Sequence, residues 1–342
     1  MHKSLSKADL PGLIDEWLKQ TTVYAALSRG DYAEFQPLDE GAQVDLDYAA
    51  NTRYPPKSLF LPQSETMFRV RRGELRTAAL STSPQVVMGI RPCDARAVQL
   101  LDGVFMDELH PDPYWIEKRD ATTLVALGCT HPCETCFCTT VGSSPFDQRG
   151  VDAILIEVGD GYVAAVRTDK GEALFNSLPD ASPEQIQATI QVQTAAISQM
   201  DKPFEAEGIR DKLYDLFESD FWSEIQQSCL GCGVCTFLCP TCHCFDIVDE
   251  VQRGERVRNW DTCMFRIYSQ EASGHNPRPT NVERTRQRIM HKYAYFQDLF
   301  HEIGCTGCGR CVRFCPVDLD IRHIIHTASV RATAPADARA AS

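Results

Sequence analysis

Apolar residues in the first two hundred positions come in short runs separated by turn residues. The runs "VYAALS" (23–28), "ETMFRV" (65–70), "PQVVMGI" (84–90), "TTLVALG" (122–128), "DAILIEV" (152–158) and "YVAAVR" (162–167) are rich in Val, Ile, Leu and aromatics, and predict β-strands. Helices are predicted over 8–19, 93–105 and 182–200. The last opens on Ser182, with Pro183 in the first turn and Gln185 at the third helical position, the signature of a capping box. Residues 1–200 are therefore expected to form an α/β (α+β) N-terminal domain. The stretch "DKPFEAEG" (201–208) reads as a linker, and 208–228 as a helical lead-in to the cysteine-rich segment that begins at Cys229.

One match to a nucleotide-binding pattern fails on its context. "GDGYVA" (159–164) fits G-x-G-x-x-A, but it joins two strand-like runs, and Asp160-Gly161 is a hairpin signal; a dinucleotide fingerprint would open a helix there. No phosphate-binding P-loop and no other flavin or nicotinamide signature is present.

Charge and composition narrow the class. The 342 residues carry 34 basic and 47 acidic side chains, a net −13, which argues against a general nucleic-acid binder. "RGERVR" (253–258) and "ERTRQR" (283–288) are local basic runs expected to face solvent. No segment reaches the roughly 18 consecutive apolar residues of a membrane span, and the N-terminus has no signal-peptide core, so a cytoplasmic protein is expected.

Cysteine carries the chemistry. Of the 16 cysteines, all but Cys93 and Cys263 fall in three runs, 129–138, 229–244 and 305–315. Spacings of two and three residues suit thiolate ligation of a compact metal cluster, not a disulfide framework. "CLGCGVCTFLCP" (229–240) and "CTGCGRCVRFCP" (305–316) share the form C-x-G-C-G-x-C-x-x-x-C-P, the C-x2-C-x2-C-x3-C-P run of two-cluster ferredoxins, in which the fourth cysteine ligates the other cluster. One 4Fe-4S cluster is thus assigned to Cys229, Cys232, Cys235 and Cys315, and a second to Cys305, Cys308, Cys311 and Cys239. The glycines let the backbone bend around sulfide and aim N–H groups at it. A pair of zinc knuckles is the alternative, but zinc needs no crossing cysteine before proline. The reading is a mainly helical, two-cluster, bacterial-ferredoxin-like domain over 208–330, with an insertion at 241–304 between its halves and a disordered tail at 331–342. Cys242, Cys244 and Cys263, inside the insertion, are either ligands of a further cluster, with His243 or His275 as a fourth, or small buried apolar groups.

Cys93 stands between a strand and a helix, and Cys129, Cys133, Cys136 and Cys138 follow directly on another strand, so five cysteines are expected at adjacent strand ends. A third 4Fe-4S cluster, a structural zinc, and reactive thiols without metal are the alternatives.

With "RPCDARAVQLLD", the "CFC" pair, "CLGCGVCTFLCPTCHCFD", "RNWDTCMFR…GHNPRPT" and "CTGCGRCVRFCPV" in view, the chain resembles the beta subunits of soluble NAD(P)-linked nickel–iron hydrogenases (sulfhydrogenases) and the related iron–sulfur subunit of anaerobic sulfite reductase. The resemblance covers most of the chain. It implies an iron–sulfur electron-transfer subunit with no active site of its own. It also implies an FAD/NAD(P)-binding reductase partner, and a catalytic partner of nickel–iron hydrogenase, sulfite reductase or heterodisulfide-reductase type. For the third cluster it implies Cys93, Cys129, Cys136 and Cys138, with Cys133 departing from the family pattern. Two rival readings remain: a cysteine-based sulfur or disulfide reductase in which Cys93 or Cys133 attacks the substrate, and a metal-stabilised interaction module with no redox role.

Overall fold

The computed structural model describes residues 1–30, 32–41, 44, 46, 51–80 and 82–333. The chain divides into two compact units, one built from 1–61 and 79–200, the other from 62–78 and 201 onward.

In chain order the first unit holds β1 (His2–Ser6), α1 (Leu10–Leu18), β2 (Thr22–Arg29) and β3 (Tyr32–Pro37). The next two strands, β4 (Ser64–Arg71) and β5 (Glu74–Thr77), belong to the second unit. The first resumes with β6 (Gln85–Ile90), α2 (Pro92–Phe105), α3 (Pro113–Ala121), β7 (Thr122–Leu127), β8 (Ala153–Val158), β9 (Gly161–Val166), α4 (Asp169–Phe175) and α5 (Pro183–Ser198). Its seven-stranded sheet has the order β1-β9-β8-β7-β6-β2-β3, with β2, β6, β7 and β8 parallel and the outer pairings antiparallel. Strands β6 and β7 read as near-continuous apolar runs because both faces of a parallel sheet are covered. Val86, Met88, Val125 and Leu127 join Leu10, Ile14, Trp17 and Phe175 in one core, and the alternate residues Val87, Leu124 and Ala126 are wholly buried as well. The predicted helix at 182–200 is α5, and its capping box is formed between Ser182 and Gln185. Asp160-Gly161 is the turn of the β8–β9 hairpin. Sequence reasoning passed over β1, β3, α3 and α4, which are short or weakly periodic.

The second unit continues with α6 (Ile209–Asp215), α7 (Phe221–Ile225), α8 (Val234–Phe237), β10 (Phe245–Glu250), β11 (Glu255–Trp260) and α9 (Asn281–Met290). A π-helical turn (His291–Tyr295) then leads into α10 (Phe296–Phe300), α11 (Arg310–Arg313) and α12 (Ile321–Thr333). It is mainly helical but also holds a four-stranded antiparallel sheet, β10-β11-β4-β5. The strand predicted at 65–70 is real, but it was expected with the N-terminal strands and instead pairs with β11 of the insertion. The reason is local: Arg258 on β11 is 1% exposed and binds Glu65 on β4 at 2.5 Å, a buried ion pair that fixes this partner. In the basic run 253–258, Arg253 and Arg256 do face solvent, Arg256 pairing with Asp249 across the hairpin, but Arg258 is interior. Helix α12 extends to Thr333, three residues into the stretch expected to be disordered, with Arg331 bound to Glu224 and lying over the Phe221 ring; residues 334–342 lie outside the described residues. Among the described residues no helix is long and apolar enough to cross a membrane.

Candidate functional site

The two cysteine repeats fold alike. In each, the glycine after the first cysteine has a left-handed backbone (Gly231 φ 66°, Gly307 φ 65°), and so does the glycine after the second (Gly233 φ 78°, Gly309 φ 73°). A side chain is strained in that conformation, which is why glycine recurs. The first turn aims an N–H at sulfur in both copies: Gly231 N donates to Cys229 Sγ at 3.4 Å, and Gly307 N to Cys305 Sγ at 3.5 Å. The second glycine caps a one-turn helix, α8 or α11, that carries the third cysteine, Cys235 or Cys311. The fourth, Cys239 or Cys315, follows the helix.

Cys235 is surrounded by Cys229, Cys232 and Cys239, and Cys311 by Cys305, Cys308 and Cys239. Cys239, from the first repeat, thus lies close to the thiols of the second. Burial, then Cys305 and Cys308 among the neighbours, pushes the Cys311 thiol up to about 12. Cys315 accepts an N–H from Leu319 at 3.2 Å. Cys232 is exposed, while Cys239 and Cys308 are buried.

Sequence reasoning missed the cations of this site. Arg284 and Arg288 are buried, not solvated as the basic run 283–288 suggested, and so is Lys292 beyond it. Their spacing of four places them on one helix face, and that periodicity, beside buried Thr285, Ile289 and Tyr293, was the available signal. Lys292 Nζ donates to Cys239 Sγ at 3.2 Å, Thr241 Oγ1 at 2.8 Å and Gly304 O at 3.1 Å. Burial works against its charge, but Cys239, Cys242 and Cys305 outweigh that and hold the ammonium protonated well above the ordinary lysine value. Burial likewise opposes the charge of Arg288, which Cys235, Cys311, Cys242 and Cys239 more than restore; its Nε has no hydrogen-bond partner. Buried cations need anions. Thiolate-bound iron–sulfur clusters carry net negative charge, so the residues present fit such groups. Among the described residues no three cysteine, histidine or carboxylate side chains converge on a single-ion position.

The insertion cysteines extend this neighbourhood. Cys242 is buried, its thiol pushed up by a hydrogen bond with Cys239 and then by burial. Cys263 and Tyr268 both contact Cys244. Asp261 N bonds Cys244 O at 3.0 Å, continuing the β10–β11 pairing. His243 stacks edge-on against His291 at 5.3 Å and its Nδ1 donates to Thr241 O at 3.1 Å; His275 is exposed.

In the first unit, parallel pairing of β6 with β7 sets their carboxyl ends side by side, the usual place for a site in such sheets. Cys93 opens α2 directly after β6, and Cys129 follows β7 by one residue, Gly128. Cys129 is flanked by Cys133, Cys136 by Cys133 and Cys93, and Cys138 by Cys129, so all five cysteines gather. Cys133, left over by the family pattern, is not set aside: its Sγ lies 2.7 Å from Cys136 Sγ and 3.2 Å from Thr135 Oγ1. Met200 Sδ is 3.7 Å from Cys138 Sγ. Burial raises the Cys129 thiol and pushes Cys138 up to about 12. Asp147 braces the loop, accepting from Ser143 Oγ at 2.7 Å and Arg149 Nε at 2.9 Å, while Arg149 Nη2 donates to Gly142 O at 2.6 Å.

Comparison with known proteins agrees with this chemistry. Residues 228–319 match the 4Fe-4S dicluster domain family, which implies two 4Fe-4S clusters. No solved structure matches the chain. Over 305 residues it is 32% identical to the sulfhydrogenase 2 subunit beta of Pyrococcus furiosus, covering 87% of this chain and 89% of that protein. With a relative 32% identical over 87% of its length and a dicluster domain at 228–319, the chain belongs to the sulfhydrogenase beta-subunit family, as an iron–sulfur electron-transfer member of it.

Proposed function

We propose that the chain is a relay inside a multisubunit oxidoreductase, passing electrons between an FAD/NAD(P)-binding partner and a catalytic partner of hydrogenase, sulfite reductase or heterodisulfide-reductase type. The ligand sets are Cys229, Cys232, Cys235 and Cys315 for one cluster, and Cys305, Cys308, Cys311 and Cys239 for the other, in a bacterial-ferredoxin-like arrangement with 241–304 inserted between its halves. A third cluster is held by Cys93, Cys129, Cys136 and Cys138, with Cys133 beside Cys136 as the fifth thiol. Bound clusters supply single-electron carriage. The residues fix their positions and the charge around them. The observation that carries the reading is the pair of identically folded cysteine loops with Arg288 and Lys292 buried among their thiols.

The rival reading, thiol catalysis at the N-terminal cysteines, needs an exposed thiol of lowered pKa. It assigns the attack to Cys93 or Cys133, both of which are only partly buried. The test is to mix the anaerobically purified chain with an NAD(P)H-reduced flavoprotein partner. The relay predicts reversible bleaching of the iron–sulfur absorbance that persists after all accessible thiols are alkylated. Turnover of polysulfide by the isolated chain, lost on that alkylation, would overturn it.

A further inference from the structure

Helix α9 and the π-helical turn after it stand outside both cysteine motifs, yet they press a column of cations against them. Arg284, Arg288 and Lys292 follow one another by about 6 Å along the axis, four residues at 1.5 Å each. Arg284 serves the first loop. It donates to the carbonyls of Arg278 and Pro279 at 3.1 and 3.0 Å and to the side chain of Asn281, whose Nδ2 donates to Cys229 O at 2.9 Å. Arg288 stands between the sets, near Cys235 of one and Cys311 of the other. Lys292 bonds the second set directly. Its ammonium joins Cys239 Sγ to Gly304 O, the carbonyl just before Cys305, and Thr241 Oγ1 completes the junction at 3.2 Å from Cys239 Sγ and 2.8 Å from Gly304 O. The π-helical turn that carries it is a departure from regular helix of the kind found at functional sites.

We propose that this column is the built-in counter-charge of the two clusters, and that Lys292, bonded to Cys239, makes the cluster at Cys305, Cys308, Cys311 and Cys239 the more readily reduced of the pair. It rests on the ligand sets of the relay reading. One electron added to a cluster adds one negative charge, and no proton need follow. A buried ammonium 3.2 Å from a ligand sulfur favours that charge, since net charge and hydrogen bonds to sulfur set such potentials. Arg288 acts on both sets, so it offsets charge without ranking them. Arg284 bonds carbonyls and Asn281 whereas Lys292 bonds a ligand sulfur, and this difference between two loops of matching backbone gives the relay an internal sink.

The test is an EPR-monitored redox titration of the full chain, purified anaerobically, as wild type, Lys292→Met and Lys292→Arg, with iron counted in each. Wild type should show two resolved potentials for the dicluster domain. Lys292→Met should lower the higher one by at least tenfold in the one-electron equilibrium, about 59 mV, and move the other less. Lys292→Arg, which keeps the charge, should stay within about threefold of wild type. Unmoved potentials in Lys292→Met at full iron, or equal shifts in Met and Arg variants, overturn the proposal. Should Lys292→Met lose iron, the wild-type spectra decide through Cys305→Ser and Cys239→Ser. Perturbation by both of the higher-potential cluster supports the proposal, and of the lower-potential one overturns it. If the two substitutions perturb different clusters, the ligand sets of the relay reading fall instead.

Discussion

At Gly128 only a hydrogen fits: a Cβ there would lie 2.4 Å from the Phe146 ring, so the chain turns from β7 into the cysteine loop over an aromatic floor. Such constraints explain why cysteine spacing was legible and its surroundings were not. A ligand motif is local and repeats in the sequence, so Cys229 to Cys239 and Cys305 to Cys315 announced themselves. Arg288 sits in a run that reads as solvated charge and Lys292 four residues beyond it, and only the fold turns them inward. His291, beside Lys292, gives a test at this scale. Burial, then His243 and Lys292, lowers its pKa from 6.5 to about 3. Between those values the unfolded chain takes up a proton that the folded chain refuses. Its contribution therefore erodes stability as pH falls from about 6.5 towards 3 and vanishes above 6.5. Anaerobic urea melts of His291→Phe should lose up to about 1.4 kcal/mol per pH unit of the wild-type acid slope. Parallel slopes for the two proteins would show that the ring is not held neutral.

At the scale of elements, β2, β6, β7, β8 and β9 and the helices α1, α2 and α5 were readable from apolar runs and caps. The pairing of β4 was not. Its partner β11 lies in the insertion, with Glu65 opposite Arg258, and no periodicity within either strand records a neighbour so distant in sequence. What selects the pairing is the buried Arg258–Glu65 ion pair, with Arg258 also over the Phe245 ring at 5.5 Å. Glu65→Gln removes this counter-charge from a buried guanidinium and should cost about 3 kcal/mol. It should also speed proteolysis within 62–78, as read by denaturation and limited digestion of the full chain. A loss under about 0.5 kcal/mol would mean that β4 is held by its backbone ladder alone.

For the molecule as a whole, the first unit is continuous in space but not in sequence, because 62–78 leaves it for the second. Each unit gathers its own thiols: five at the carboxyl ends of β6 and β7, and eight in the paired loops that carry α8 and α11. The family relationship and the dicluster match account for the second gathering. The first rests on strand order, which brings Cys93 to the 129–138 loop. The most direct test of a relay running through both units is iron and acid-labile sulfide per polypeptide in the anaerobically purified chain. The account predicts about 12 of each, three cubanes' worth, falling to about 8 when Cys93 and Cys129 are replaced together by Ala. About 8 in the wild type, unchanged by that replacement, or zinc in place of the missing iron, would contradict it.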